Sequence, residues 1–452
     1  MPMGSVVRLL SKPAESSRQL AIGSLNNLYK SVANLEAKYF AQGACKDILL
    51  NTRNSAEDEC KTLKINIDDI SPIKYYTCED MSCTENGYAA FFSMYDGVKC
   101  RNCSKTLNRC APIREYFRDD GRKGVFVKPD ELFLMTDDLH VIPNVPASIL
   151  AILENSGSTD LEGLEEKTFR IGCTEILDLL KYSILSTTPL TSIFLKKNNI
   201  IADKLFQPLS RKESTEGIIS FKEMEVKVMV QKSNNTIILA HSSEDFIEFI
   251  FSFLTVPLGR VISLVSKCNA PALCVENIHQ SVSNFRVSEF LKSQQKKDML
   301  LSPKLSMLYQ CSNQLFPLEE HRIPKFCNNP IPLFGRRNYS LTFSSGFRGR
   351  EIKLASLMGE GGFLKGSTTK FMVTDDLVVT PFTPMSCMKY IRSCNVPPTD
   401  IEEQVINVGP KEALNLLSAS LVSTSALTNG LKDSIRRKPM TERLVKKPKV
   451  DK

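Results

Sequence analysis

Tryptophan is absent from this 452-residue chain, and histidine occurs only four times. An aromatic core therefore has to be built from 24 Phe and 11 Tyr, and the side chain that most readily moves protons at neutral pH is scarce. A long uninterrupted apolar run is missing too. The most apolar stretch, Phe246 to Val265, contains Glu248, Pro257 and Arg260, so it falls short of the ~20 apolar residues a membrane span needs. A buried helix starting at Ser242 or Ser243 accounts for it, with Glu244 and Asp245 favoured in the first turn by the helix dipole. The opening residues, Met1 to Leu10, lack the basic leader, apolar segment and small-residue cleavage site of a secretory signal. The expectation is an intracellular protein without membrane contact. In that compartment thiols stay reduced, and metal binding or burial is the default use of the 14 cysteines.

Charge is unevenly placed. Of the net +8, Gly430 to Lys452 hold nine Lys or Arg against three acidic residues, leaving about +2 for the rest of the chain. The body therefore has no general nucleic-acid footprint. The tail, with its prolines and few apolar residues, reads as a disordered arm. It is either a solvated end or a nuclear-import or nucleic-acid contact. The overall 42% hydrophobic and 24% charged composition is that of a globular protein with room for two or three domains.

Internal similarity is the strongest pattern. Phe133 to Pro143 (Phe-Leu-Met-Thr-Asp-Asp-Leu-His-Val-Ile-Pro) is mirrored by Phe371 to Pro381 (Phe-Met-Val-Thr-Asp-Asp-Leu-Val-Val-Thr-Pro). The register continues through Pro146 and Ser148 with Pro384 and Ser386. It resumes at Gly172 and Gly409 and runs to Thr191 and Thr428. Earlier, Pro2 to Lys12 lies over Pro257 to Lys267, and Asn27, Ser31, Val32, Asn34 and Phe40 lie over Asn277, Ser281, Val282, Asn284 and Phe290. We read a tandem duplication of one α+β (mixed α/β) unit. Its boundaries are a first repeat at 1–193, a linker at 194–222, a second repeat at 223–429 and a basic tail at 430–452. Only the second repeat owns a strand–turn–strand–helix segment, about Glu223 to Val256. This predicts that roughly thirty residues of the first copy have been clipped from its start, unless that copy evolved without them. Each copy should then carry a strand–Asp-Asp turn–strand, a helix (Ala147 to Asn155; Met385 to Arg392), a short strand ending at Gly172 or Gly409, and a further helix. The insert at Asn328 to Gly366 is rich in Gly, Ser and Arg and is expected to be loop-like.

Cys78-x4-Cys83 and Cys100-x2-Cys103 are the sharpest chemical signal. Two turns, each offering a thiolate pair, converge to a tetrahedron around Zn2+ at ~2.3 Å per sulfur. Lys74 to Thr77 and Gly87 to Phe92 have strand character, so the insert at 74–110 reads as zinc-ribbon-like. Four thiolates leave no open coordination position, which assigns the metal a structural role. The competing account is four buried thiols without a ligand. Cys110 is a spare. In the second copy Cys327 replaces Cys78 but no partner cysteines follow before Phe371. Cys311, His321 and Cys327 have no spacing of a known site.

These cysteines sit among other features: Pro257-Leu-Gly-Arg-Val-Ile, the apolar helix from Glu244 to Leu254, Gly362-Phe-Leu-Lys-Gly366, both Thr-Asp-Asp-Leu turns and Leu179 to Thr191. Together they cover nearly the whole chain and resemble the plant family catalogued as domain of unknown function 674 (DUF 674). The resemblance implies a land-plant source and a repeated domain, and it implies no activity. The chain departs from the family pattern at its clipped start.

Other motifs carry less. Gly359 to Thr368 lacks the Gly-Lys-Ser/Thr order of a phosphate loop, since Lys365 precedes Gly366. Asp137-Asp138 and Asp375-Asp376 read as turn formers. No Ser, Cys or His stands in a nucleophile motif. The resulting expectation is a non-enzymatic module for an unknown protein partner, held locally by zinc, in the cytoplasm or, if the tail is an import signal, the nucleus. Two alternatives stand beside it: a nucleic-acid binder using the ribbon and the tail, and an enzyme with an unrecognised site between the repeats.

Overall fold

Residues 236–242 are mostly buried, and residues 224–231 alternate in burial, with Val226, Val228 and Val230 pointing inward. That period of two is what a half-buried strand requires. In the computed structural model they form an antiparallel hairpin, Met224–Gln231 with Thr236–Ser242. The residues described are 1–12, 22–71, 73–80, 82–85, 90–111, 113–114, 125–129, 131–156, 165–196, 223–266, 273–306, 316, 318–319, 326–333, 336–343, 350–355, 362–366 and 369–435.

The hairpin is the centre of a five-stranded antiparallel sheet. Phe371–Thr374 and then Val379–Pro381 flank one side, and Ile401–Val408 flanks the other. Helix Glu244–Ser252 lies against the hairpin. Its Phe246, Ile247, Phe249, Ile250 and Phe251 are all buried, as expected for an apolar helix enclosed in a core. Each such side chain contributes about 2 kcal/mol on burial. Among the described residues no helix is long and apolar enough to cross a membrane.

The chain's first helices belong to the same core. Met3–Leu10 and Leu25–Asn34 bury Met3, Val6, Val7, Leu25, Leu28 and Val32 in one cluster with Phe246, Phe249 and Leu416. Entry is by a short antiparallel bridge between Pro2 and Pro257. Met3 N–H donates to the Val256 carbonyl, and Leu258 N–H to that of Met1, both at 2.9 Å.

The two Asp-Asp turns have the same hydrogen bonds. In each, the Thr hydroxyl bonds an Asp two residues on (Thr136 to Asp138; Thr374 to Asp376) and accepts the N–H four residues on at 3.0 Å. A buried leucine holds the left-handed position, Leu139 at φ 68° and Leu377 at φ 62°. The other aspartate bonds a later helix: Asp137 accepts from Thr191 N–H at 2.8 Å and Asp375 from Thr428 N–H at 2.7 Å. The acids thus tie turn to helix as well as forming the turn.

Two expectations need correction. The insert expected to be loop-like forms strands, Phe326–Leu333, Arg336–Phe343 and Arg350–Leu354. They join Tyr75–Cys78, Ala90–Ser93, Val98–Lys99, Thr106–Ala111 and Ile113–Arg114 in one eight-stranded sheet. Glycine and serine content misled here because cross-strand pairing overrides local propensity. Conversely, the strand expected before Gly172 is not formed: among the described residues, 165–172 join no sheet. Ile401–Val408, the segment before Gly409, is a strand, with Met224–Gln231 beside it. The linker from 197 onward and the tail from 436 lie outside the described residues. Helix Ala426–Leu431 and the buried Ile435 carry ordered structure past residue 430.

Candidate metal centre

Tyr75–Cys78 is the strand that organises this region. It pairs antiparallel with Ala90–Ser93 on one edge and Thr106–Ala111 on the other. Its register breaks between Thr77 and Cys78, and such an irregularity turns the end of a strand out of the ladder. Two residues later Asp80 begins a tight turn, accepting from Ser82 N–H at 3.0 Å and Ser82 Oγ at 2.6 Å. This turn carries Cys83 at the start of a short helix, Ser82–Glu85.

The second pair sits on the connection between Val98–Lys99 and Thr106–Ala111. Cys100 N–H donates to the Lys105 carbonyl at 2.7 Å, and Ser104 N–H to the Cys100 carbonyl at 2.9 Å. Ser104 takes φ 61° to close the turn. Lys105 Nζ lies 3.0 Å from Asp80 Oδ2, so an ion pair clasps the two turns together. The Ser82 hydroxyl and then Lys105 hold the Asp80 carboxyl down to about 2.

The four sulfur atoms of Cys78, Cys83, Cys100 and Cys103 all lie within 4.8 Å of one another. Cys78 Sγ and Cys103 Sγ are 3.5 Å apart, too far for a disulfide at ~2.05 Å. A tetrahedron with ~2.3 Å metal–sulfur bonds has edges of roughly 3.8 Å, so the spacing fits one metal ion. Cys78, Cys83 and Cys100 are buried and Cys103 is partly exposed. Burial pushes the Cys78 thiol well above its ordinary value and that of Cys83 up to about 11. The Lys105 N–H holds Cys103 below its usual value. A bound cation reverses the burial effect by stabilising every thiolate.

The structure therefore brings together all four cysteines singled out by spacing. Cys110 is exposed on its strand, opposite Tyr76, and lies outside the group. Cys327 lies opposite Thr342 and Glu351 in the strand register, while Cys311 and His321 fall outside the described residues.

With that geometry established, the family can be assigned. The profile of the family described as Protein of unknown function (DUF674) matches residues 1–411. The chain belongs to that family. No curated protein matches it, and no solved structure does. The family match spans the cysteine cluster and both Asp-Asp turns, so the centre lies on family sequence rather than in an appended segment.

One further site escaped sequence reading. Glu248, on the buried helix, accepts the main-chain N–H of Phe363 at 2.9 Å and that of Leu364. The glycine-rich stretch that superficially resembles a phosphate loop thus binds a carboxylate of its own chain. Burial pushes Glu248 up to about 7, against the opposing pull of those two N–H groups. The acid itself was visible in the sequence, but nothing local announced its partner 115 residues away.

Proposed function

We propose that Cys78, Cys83, Cys100 and Cys103 hold one structural Zn2+, and that the chain is a non-enzymatic protein-interaction module built from two copies of an α+β unit. The observation that carries the metal assignment is the convergence of four thiols at tetrahedral spacing on two hydrogen-bonded turns. A set of four thiolates selects a soft or borderline ion, and zinc completes its shell with them. Such a centre clips strands together and offers no position for a substrate.

Support for the duplication comes from paired contacts. Asn27 and Ser31 bond the turn at Asp376 and Val379; Asn277 and Ser281 bond the turn at Asp138 and Val141. In this reading the helix of each copy secures the turn of the other, and the halves are interlocked. The interaction role rests on the exposed apolar side chains of the first half, among them Leu132, Leu150 and Ile171, which mark binding surfaces when they gather on one face. The described cysteines are free thiols, consistent with a reducing intracellular compartment.

The test is the metal content of the purified full chain beside a Cys100→Ser variant. One zinc per chain in the former and none in the latter is expected. A wild-type chain that folds without metal would sink the assignment.

A further inference from the structure

In the second half, the hairpin Met224–Gln231 with Thr236–Ser242 fills the space between Phe371–Thr374 and Ile401–Val408. The matching segments of the first half are Phe133–Met135 and residues 165–171. Among the described residues nothing lies between them in a sheet: Phe133–Met135 pairs only with Val141–Pro143. Among the described residues, then, the first half has no strands equivalent to the Met224–Gln231 and Thr236–Ser242 pair.

The side chains agree with the backbone. Met135 is 43% exposed and its counterpart Val373 is 0%; Phe169 is 44% exposed and Ile406 2%; Ile171 is 53% exposed and Val408 0%. On the helix above, Ile149 is 42% exposed against 5% for Cys387. Each buried member of these pairs belongs to an element of the five-stranded sheet or the helix beside it. The same contrast reaches the Glu248 site. Val127 is 38% exposed where Leu364 is 2%, and among the described residues the N–H groups of Phe126 and Val127 meet no acceptor.

We propose that this face of the first half is a docking site for a polypeptide partner that donates a strand–turn–strand–helix segment with a carboxylate on the buried side of its helix. This deepens the interaction role above and rests on the equivalence of the two halves. The occupant's chemistry is read from the segment already seated on the equivalent face, Met224 to Ser252. Its strands pair with Phe133–Met135 on one side and draw residues 165–171 into the sheet on the other, and main-chain hydrogen bonds set the register. Alternate apolar side chains cover Met135, Phe169 and Ile171. Its helix brings a glutamate to the N–H groups of Phe126 and Val127, as Glu248 does to Phe363 and Leu364. The chain's own Met224–Ser252 is engaged in its own sheet, so the donor is a different segment. An unpaired strand edge beside exposed apolar side chains is otherwise a liability for aggregation.

The probe is a synthetic peptide of residues 223–256 added to the full chain, read by amide hydrogen exchange. Exchange at 133–135 and 165–171 should slow at least tenfold, while 371–374 stays unchanged. A Glu248→Ala peptide should bind at least tenfold more weakly. An Ile171→Asp chain, altered at an exposed position, should keep its melting temperature and lose the peptide. For a peptide that self-associates, a second arm joins it to Met1 by a flexible Gly/Ser linker, raising its effective concentration to roughly millimolar. No protection at 133–135 even when tethered overturns the proposal. So does slow thiol labelling of an Ile171→Cys chain without peptide, because the face would already be covered. Equivalence of the halves is tested separately by the paired asparagine variants below, so failure of that reading is told apart from failure of docking.

Discussion

Asn27 donates its side-chain amide to the main-chain carbonyl of Asp376 at 3.1 Å, across 349 residues of sequence. Asn277 makes the corresponding bond to the carbonyl of Asp138 at 2.8 Å. Ser31 and Ser281, one helical turn on, accept the N–H of Val379 and of Val141, both at 2.9 Å. Contacts this far apart in sequence tie the ends of the chain into one core, which a series of linked but separate domains would not do.

Removing either asparagine side chain should therefore cost the fold a similar amount, about 1 kcal/mol for a part-buried hydrogen bond. Asn27→Ala and Asn277→Ala share no partner and should add in the double variant. Urea denaturation of the three proteins measures this. A neutral effect at one site beside a large effect at the other would argue against equivalent halves.

Glu248 gives the fold a pH dependence of known sign. Its folded value, about 7, lies above the ordinary 4.5, so the folded state binds the proton more tightly than the unfolded one. The stabilisation is complete below about 4.5 and is lost as pH rises to about 7, by at most about 3 kcal/mol. Asp375, raised from 3.8 to about 6 by burial, acts in the same direction over a lower window. In Glu248→Gln the decline in stability between pH 6 and 8 should shrink markedly, leaving Asp375 to act below that range. An unchanged profile in chemical denaturation across that range would contradict it.

Gly362 should tolerate no larger residue. It takes φ +124°, and a Cβ there would stand 2.6 Å from Glu248 Oε2. Gly362→Ala combines a disfavoured backbone with a clash against a buried carboxylate, for an expected loss of about 2 kcal/mol or more. Thermal melting checks it; Gly366→Ala, which meets nothing within 4 Å, is the matched control.

Metal removal should act locally. Chelation is expected to speed amide exchange in Tyr75–Cys78 and Thr106–Ala111 more than tenfold while the strands at Met224–Ser242 keep their protection. The latter belong to the five-stranded sheet, whereas the cysteines stand on strands and turns of the eight-stranded one, and Val226, Val228 and Phe246 are fully buried. Global unfolding on chelation would make the centre a determinant of the whole fold.

Much of this was legible in order along the chain. Two strand-like runs around a turn announced the Met224–Ser242 hairpin, an apolar run with acids in its first turn announced the Glu244–Ser252 helix, and paired spacing singled out Cys78, Cys83, Cys100 and Cys103. Local composition misled at Asn328 to Gly366, where strands form by pairing with Ala90–Ser93 through Arg350–Leu354. It misled again before Gly172, where strand-like residues have no neighbour. A strand exists by virtue of its partner, and partner choice is not a local property.

The sequence alone determined which residues could build strands, helices and thiol-rich turns, because periodicity and side-chain chemistry act over a few neighbouring positions. Only the tertiary structure decided that four sulfurs meet, that Glu248 rests on Phe363 and Leu364, and that the helix bearing Asn27 serves the turn at Asp376. Those are relations between segments brought close by burial of a shared core. The chain writes both members of each pair but not their distance.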